Sequence, residues 1–207
     1  MGAALAVRGD LGRPQAVRRL VLASTSAQRR AILEQLRIPF EVVAPTYVEH
    51  DPPDADPEAL VRAHALGKAR SVHREGDLTL GVDTTVHLDG RVFGKPADRA
   101  DAESMLRTLS GRVHTVVSGL CLLASDVEVV ETAHTAVSFR PLGAGDIATY
   151  LESEEWEGRA GGYAIQGLGG RLVYGIEGDY LNVVGLPGAL LVTLLDLHAS
   201  ELLQIPR

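Results

Sequence analysis

The sequence predicts a mixed α/β protein whose sheet contains antiparallel hairpins and is not a pure β-α-β series. Three observations carry this. Stretches with helical periodicity alternate with short β-branched apolar runs along the chain. Two long β-rich runs, "VHTVVSGLCLLAS" (113–125) and "VEVVETAHTAVSF" (127–139), are separated only by Asp126 and must turn back on one another. Asp89-Gly90 interrupts "LTLGVDTTVHLDGRVF" (78–93) and supplies the positive backbone angles of a two-residue type I′ turn.

The elements follow in order. Residues 1–18 are broken by Gly, Asp and Pro and lack the apolar centre of a signal peptide, so they predict a loose tail. No repeat, low-complexity block or linker divides the remainder, and residues 19–207 are expected to form a single domain. "RLVLAS" (19–24) reads as a buried strand. "SAQRRAILEQLR" (26–37) follows as a helix, with Ser26 at the N-cap and Ile32, Leu33 and Leu36 on one face. "PFEVVAP" (39–45) is a second strand, and the proline-rich acidic stretch 46–57 a loop. Pro57 and Glu58, both favoured in a first turn, open a helix to residue 75. After the hairpin, 98–111 is a helix stopped by Gly111, and 143–153 is another. Residues 158–185 alternate glycines with short apolar runs. "PGALLVTLLDLHASEL" (187–202) closes the chain as a helix with Pro187 near its start.

Composition excludes several functions. The 207 residues are 45% apolar and 23% charged, as in ordinary globular proteins. A net charge of −7 and only 4% aromatic residues argue against a nucleic-acid surface. No apolar run reaches the roughly 18 residues of a membrane span, so a cytoplasmic protein is expected. The single Cys121 rules out an intrachain disulfide and a multi-cysteine zinc site, and reads as a packed strand residue. The seven histidines show neither H-x-x-x-H nor H-E-x-x-H spacing, which speaks against a histidine-ligated metal. There is no G-x-S-x-G elbow and no P-loop. "GLGG" (167–170) is too short for a dinucleotide fingerprint and reads as a tight loop that lets backbone approach a ligand.

The residues with chemical potential point to an anion. In "LASTSAQRRAIL" (22–33) a strand runs through a Ser/Thr turn into a helix start, exposing free N–H groups and the hydroxyls of Ser24, Thr25 and Ser26. Arg29 and Arg30 are adjacent cations at the wrong end of a helix dipole unless an anion offsets them. A solvated basic turn is the competing reading. Lys95, fixed between Gly94 and Pro96, suits a point-charge phosphate contact, with a surface lysine the alternative; Lys68, on a helix, reads by default as a surface lysine. Asp83 lies in the apolar run "GVDTTV", where a carboxylate is costly unless paired or bound to metal, and where a general base can be tuned. A strand-end cap is its alternative. Glu49 and Asp51 in the acidic loop are solvated groups or ligands of a hard divalent ion. Together these make a phosphoanhydride site.

From about Arg19 to about Ala199, the segments "LASTSAQRR", "GKA" (67–69), "GVDTTVHLDGRVFGKP", "MLRTLSGRVHTVVSG", "AGGYAIQGLGG" and "IEGDYLNVVGLP" occur in the order and spacing of a known family. The chain resembles the Maf family of nucleoside triphosphate pyrophosphatases, named for septum-formation inhibition, with the dTTP/UTP branch the nearer one. The resemblance implies an elongated mixed sheet with flanking helices and a central cleft, of the inosine-triphosphatase type. It implies hydrolysis of nucleoside triphosphates to monophosphate and pyrophosphate with a divalent cation (Mg²⁺, Mn²⁺ or Co²⁺), and a homodimer. Carried over by position, Ser24, Arg29, Lys68 and Lys95 contact the triphosphate. Glu49 and Asp83 serve metal and water, with Asp83 the proton acceptor, while Thr84 and Gln166 help choose the base. The pyrimidine branch reads S-P-R-R where this chain has Ser26-Ala27-Gln28-Arg29. Arg29 is then the phosphate binder and Arg30 a surface residue. Gln28 loosens base selection or weakens triphosphate binding, which leaves canonical pyrimidine and modified nucleotides both open. A nucleotide-binding regulator of cell division with little catalysis is the reading from another class.

Overall fold

The computed structural model describes residues 18–52 and 55–204. The tail expected over 1–18 lies outside these residues except for Arg18, whose Nη2 donates to Asp126 Oδ2 at 2.9 Å. Strand β1 (Arg19–Ala23) buries Leu20, Val21, Leu22 and Ala23. Ser26 caps α1 (Ala27–Gln35), its Oγ accepting from Arg29 N at 3.4 Å, and Ile32 and Leu33 face the core as their spacing requires. Strand β2 (Glu41–Val43) is shorter than its β-rich sequence suggests, because it lies at the sheet edge with Glu41 and Val42 exposed. Helix α2 (Pro57–Val72) starts at an Asp56 cap and stops at His73, whose backbone leaves helical angles and whose Nδ1 lies 3.0 Å from Thr79 Oγ1.

Strands β3 (Asp77–Leu88) and β4 (Arg91–Phe93) form the expected hairpin. Asp89 and Gly90 have φ of 52° and 79°, and Leu88 pairs directly with Arg91. After α3 (Arg99–Leu109), β5 (Val113–Ala124) and β6 (Val127–Phe139) pair antiparallel over their full length. Helix α4 (Ala144–Leu151) follows. The glycine-rich region holds two elements that its pattern conceals, β7 (Val173–Glu177) and α5 (Tyr180–Val184). Helix α6 (Gly188–His198) ends earlier than expected and gives way to a 3₁₀ turn at 200–203. No helix of the described residues is long and apolar enough to cross a membrane.

The seven strands make one mixed sheet in the order β2-β1-β3-β5-β6-β7, with β4 paired to β3. β1 is parallel to both β2 and β3, and the other pairings are antiparallel. One apolar cluster packs Leu20, Leu22, Leu33, Leu78 and Leu122 with Leu191 and Leu195 of α6. A second packs Phe93, Leu106, Val116, Phe139, Ile147 and Trp156 under α3 and α4.

The register creates the gap that matters. On one edge, β3 is bonded to β1 over Asp77–Gly81 and to β4 over Val86–Leu88, while β5 occupies the other edge. Residues 82–85 therefore lack a strand neighbour on the first edge, where β1 ends and its chain turns into α1. Gly81 and Gly119 let α2 lie directly on the sheet: a Cβ at these positions would fall 2.0 Å from Ala65 O and 2.3 Å from Val61 O. Asp83 pairs with Gly119 in the ladder, so it emerges beneath α2.

Candidate active site

An open cavity of about 830 Å³ lies at this gap. Arg29 enters it from the first turn of α1 and is partly buried. Its Nε donates to Gly185 O at 2.9 Å, Nη1 to Ser24 Oγ at 3.3 Å and Nη2 to Thr84 Oγ1 at 3.4 Å. Burial lowers the pKa of this guanidinium, while Asp83 and Glu49 oppose the shift. Ser24 is buried, and its Oγ also accepts from Ser26 N at 3.1 Å. Thr84 Oγ1 lies 2.8 Å from Ser118 Oγ and donates to Gly185 O at 3.3 Å. Gln28 is folded onto the helix cap, its Oε1 accepting from Ser26 Oγ at 3.3 Å. Arg30 is exposed and does not line the cavity.

On the α2 side, Lys68 is 7% exposed, a buried cation rather than a surface one. Its Nζ lies 2.5 Å from both Asp83 Oδ1 and Glu49 Oε1. One turn earlier, His64 is 3% exposed. Its Nδ1 is 3.4 Å from Asp83 Oδ2, and its Nε2 is 3.4 Å from both Asp51 Oδ1 and His50 O. Burial alone would raise the Asp83 carboxyl pKa, but His64, Lys68 and Arg29 together hold it down to about 2. Asp83 is therefore ionised at neutral pH. The Asp83 hydrogen bond raises the pKa of His64 against its burial, with Asp51 and Glu49 adding to the rise.

Lys95 and Gln166 are exposed and line the same cavity. Gly161 N donates to Gly94 O at 3.1 Å and so ties the Lys95 turn to the 160–162 segment. The nine residues to which the family resemblance gives a role, Ser24, Gln28, Arg29, Glu49, Lys68, Asp83, Thr84, Lys95 and Gln166, border this one cavity. Gly167 borders the cavity as well. The glycines of 167–170 also allow close approach to the chain itself: a Cβ at Gly167 would meet the Glu155 carboxylate at 2.3 Å and one at Gly169 would meet Ala164 O at 2.4 Å. Beside the acidic groups the fold brings an imidazole that the spacing of the histidines does not announce: Glu49, His64 and Asp83 each offer an atom that could ligate a metal, and these atoms lie within 4.8 Å of one another. Short-range spacing motifs cannot reveal a group assembled from a loop, a helix and a strand. Two carboxylates and an imidazole fit a divalent first-row cation.

Comparison with known proteins agrees with this geometry. The model of a family described as Maf-like protein matches residues 19–198. The dTTP/UTP pyrophosphatase of Symbiobacterium thermophilum is 47% identical over 173 residues, covering 83% of this chain and 89% of that one. That of Anaeromyxobacter sp. (strain Fw109-5) is 46% identical over 174 residues, covering 82% and 84%. That of Pyrococcus furiosus is 40% identical over 186 residues, covering 87% and 96%. With the family model spanning the sheet and every side chain around the cavity, and with such identity sustained across the chain, the protein belongs to the Maf-like family.

Proposed function

We infer that this chain hydrolyses nucleoside triphosphates, dTTP and UTP foremost, to nucleoside monophosphate and pyrophosphate. The observation that carries this is the convergence of Arg29, Lys68 and Asp83 at the strand gap of a cavity large enough for a nucleotide, in a chain whose relatives are named dTTP/UTP pyrophosphatases. Residues 19–207 act as one catalytic unit in this reading.

Arg29, Lys68 and Lys95 bind the triphosphate, and Ser24 presents its hydroxyl beside Arg29. A divalent cation held by Glu49 and Asp83, Mg²⁺, Mn²⁺ or Co²⁺, supplies charge against the phosphates and acidifies water. Asp83 orients the attacking water and takes its proton. A carboxylate with a pKa of about 2 is a weak base. Lys68 must therefore transfer its ion pair from Asp83 to a phosphate for that step to become efficient. The water oxygen bonds to the α-phosphorus, the bridge to the β-phosphate breaks, and pyrophosphate leaves with its charge paired by the lysines. Thr84 and Gln166 meet the base. The enzyme is placed in the cytoplasm, where its substrates are. It is also placed in a homodimer, for which edge strand β7 offers the exposed side chains of Tyr174 and Ile176.

The test is pyrophosphate release from a panel of canonical and modified nucleoside triphosphates with each cation, beside Asp83→Asn. Stoichiometric release from dTTP and UTP that disappears in the variant is expected. Silence across the panel, with nucleotide still raising Tm, would favour the regulatory reading, which the missing arginine at position 28 keeps in view.

A further inference from the structure

We propose that His64 is a metal ligand, giving this chain an N,O,O site (His64, Glu49, Asp83) that favours Mn²⁺ or Co²⁺ over Mg²⁺. The proposal rests on the pyrophosphatase reading and specifies the ion its site selects. Three observations carry it.

The first is placement. Gly81 and Gly119 seat α2 on the sheet so closely that His64, 3% exposed, is directed at Asp83 and not at solvent. The edge of the Tyr47 ring packs against it with centroids 5.7 Å apart, which restricts rotation of the imidazole. The second is distance. Nδ1 and Asp83 Oδ2 are 3.4 Å apart. This is the separation of neighbouring ligands around an ion whose bonds are about 2.1 Å, roughly 3.0–3.4 Å for octahedral to tetrahedral angles.

The third is what lies behind the ring. Nε2 faces two acceptors, His50 O and Asp51 Oδ1, each at 3.4 Å. A ligating histidine has this arrangement: the outer nitrogen keeps its proton toward a carbonyl or carboxylate, which leaves the inner nitrogen's lone pair toward the ion. Mg²⁺ takes oxygen ligands and keeps its waters, whereas imidazole suits the first-row transition ions. A nitrogen in place of a third oxygen therefore biases the site toward Mn²⁺ and Co²⁺.

The experiment is pulsed EPR on the full chain loaded with Mn²⁺, together with direct titrations of Mn²⁺ and Mg²⁺. Expected are the ¹⁴N couplings of a coordinated imidazole, kept in His50→Gln and lost in His64→Leu, and a Mn²⁺ Kd at least about tenfold weaker in His64→Leu with Mg²⁺ affinity little changed. Wild-type protein whose bound Mn²⁺ shows no nitrogen coupling overturns the proposal whether or not the variant folds. Loss of the coupling in His50→Gln also overturns it, as does failure to bind Mn²⁺ below millimolar concentrations. Pyrophosphate release is measured separately. Activity without nitrogen coupling removes this site and keeps the enzyme; nitrogen coupling without activity on any nucleotide does the reverse.

Discussion

Asp83 and Gln28 each lead to a residue-level prediction. Asp83 is held ionised among Lys68, His64 and Arg29, so Asp83→Asn removes both an anion and the proton acceptor while leaving a side chain of the same size. Its kcat should fall by about 10²–10⁴-fold, and its Tm should fall as well because the ionised carboxylate stabilises the fold and pairs buried Lys68, read by pyrophosphate release and thermal unfolding. Gln28 folds onto Ser26, and no cation occupies its position at the cavity wall. Gln28→Arg should raise kcat/KM for dTTP and UTP relative to GTP; unchanged ratios across the three would end the argument that this position sets specificity. Asp83 and Arg29 stand out in the sequence because residue type betrays cost: a carboxylate among β-branched residues and a cation at a helix start each demand a partner. Lys68, Lys95 and Glu49 read as well as surface groups, and Thr84, Gln166 and Gln28 take their roles from the family resemblance alone. His64 was not legible, because its partners lie 13 and 19 positions away in sequence on other elements, and only the fold makes them neighbours.

At the scale of elements, the catalytic geometry depends on how close α2 lies to β3 and β5. Gly81→Ala and Gly119→Ala each place a methyl against helix backbone, at 2.0 and 2.3 Å, where no side chain can swing away. Each should cost about 1–3 kcal/mol by overpacking. Each should also lower kcat, because a displaced α2 moves Lys68 and His64 away from Asp83. A control that does not line the cavity, Asp56→Ala, removes the α2 cap and should cost about 1 kcal/mol with kcat retained. Urea unfolding with parallel kinetics separates the cases. Long elements declared themselves in sequence through period and turn chemistry, as in the β3–β4 and β5–β6 hairpins. β7 and α5 stayed hidden because they are short runs set among Gly175, Gly178 and Gly185, which break the local pattern, and tertiary hydrogen bonds do what that pattern does elsewhere. The Asn182 side chain donates to Val116 O at 3.1 Å and Thr135 Oγ1 at 3.0 Å, holding α5 against β5 and β6.

For the whole molecule, acid should destabilise the protein before the active-site carboxylate is titrated. His114 is buried in the second core between Phe139 and Tyr163, with Nε2 2.9 Å from the Tyr163 hydroxyl and Nδ1 without a partner. Burial pushes its pKa from 6.5 down to about 4, because an imidazolium there would leave one N–H unsatisfied in an apolar surround. The unfolded chain thus binds a proton near pH 6.5 that the folded chain refuses until about pH 4, and stability falls with pH through that window. The depression corresponds to about 3 kcal/mol. Asp83 adds its own loss only lower, from 3.8 toward 2, since its folded pKa is depressed and its stabilisation requires the ionised form. His64 acts in the opposite direction: its folded pKa is raised, so its contribution is complete below 6.5 and is lost as pH rises past the folded value. Denaturant midpoints measured from pH 7 to pH 4 should therefore decline, and His114→Gln should flatten that decline at the expense of some stability at pH 7. If the variant keeps the wild-type slope between pH 6.5 and 4, the acid sensitivity arises elsewhere and the second core tolerates an imidazolium.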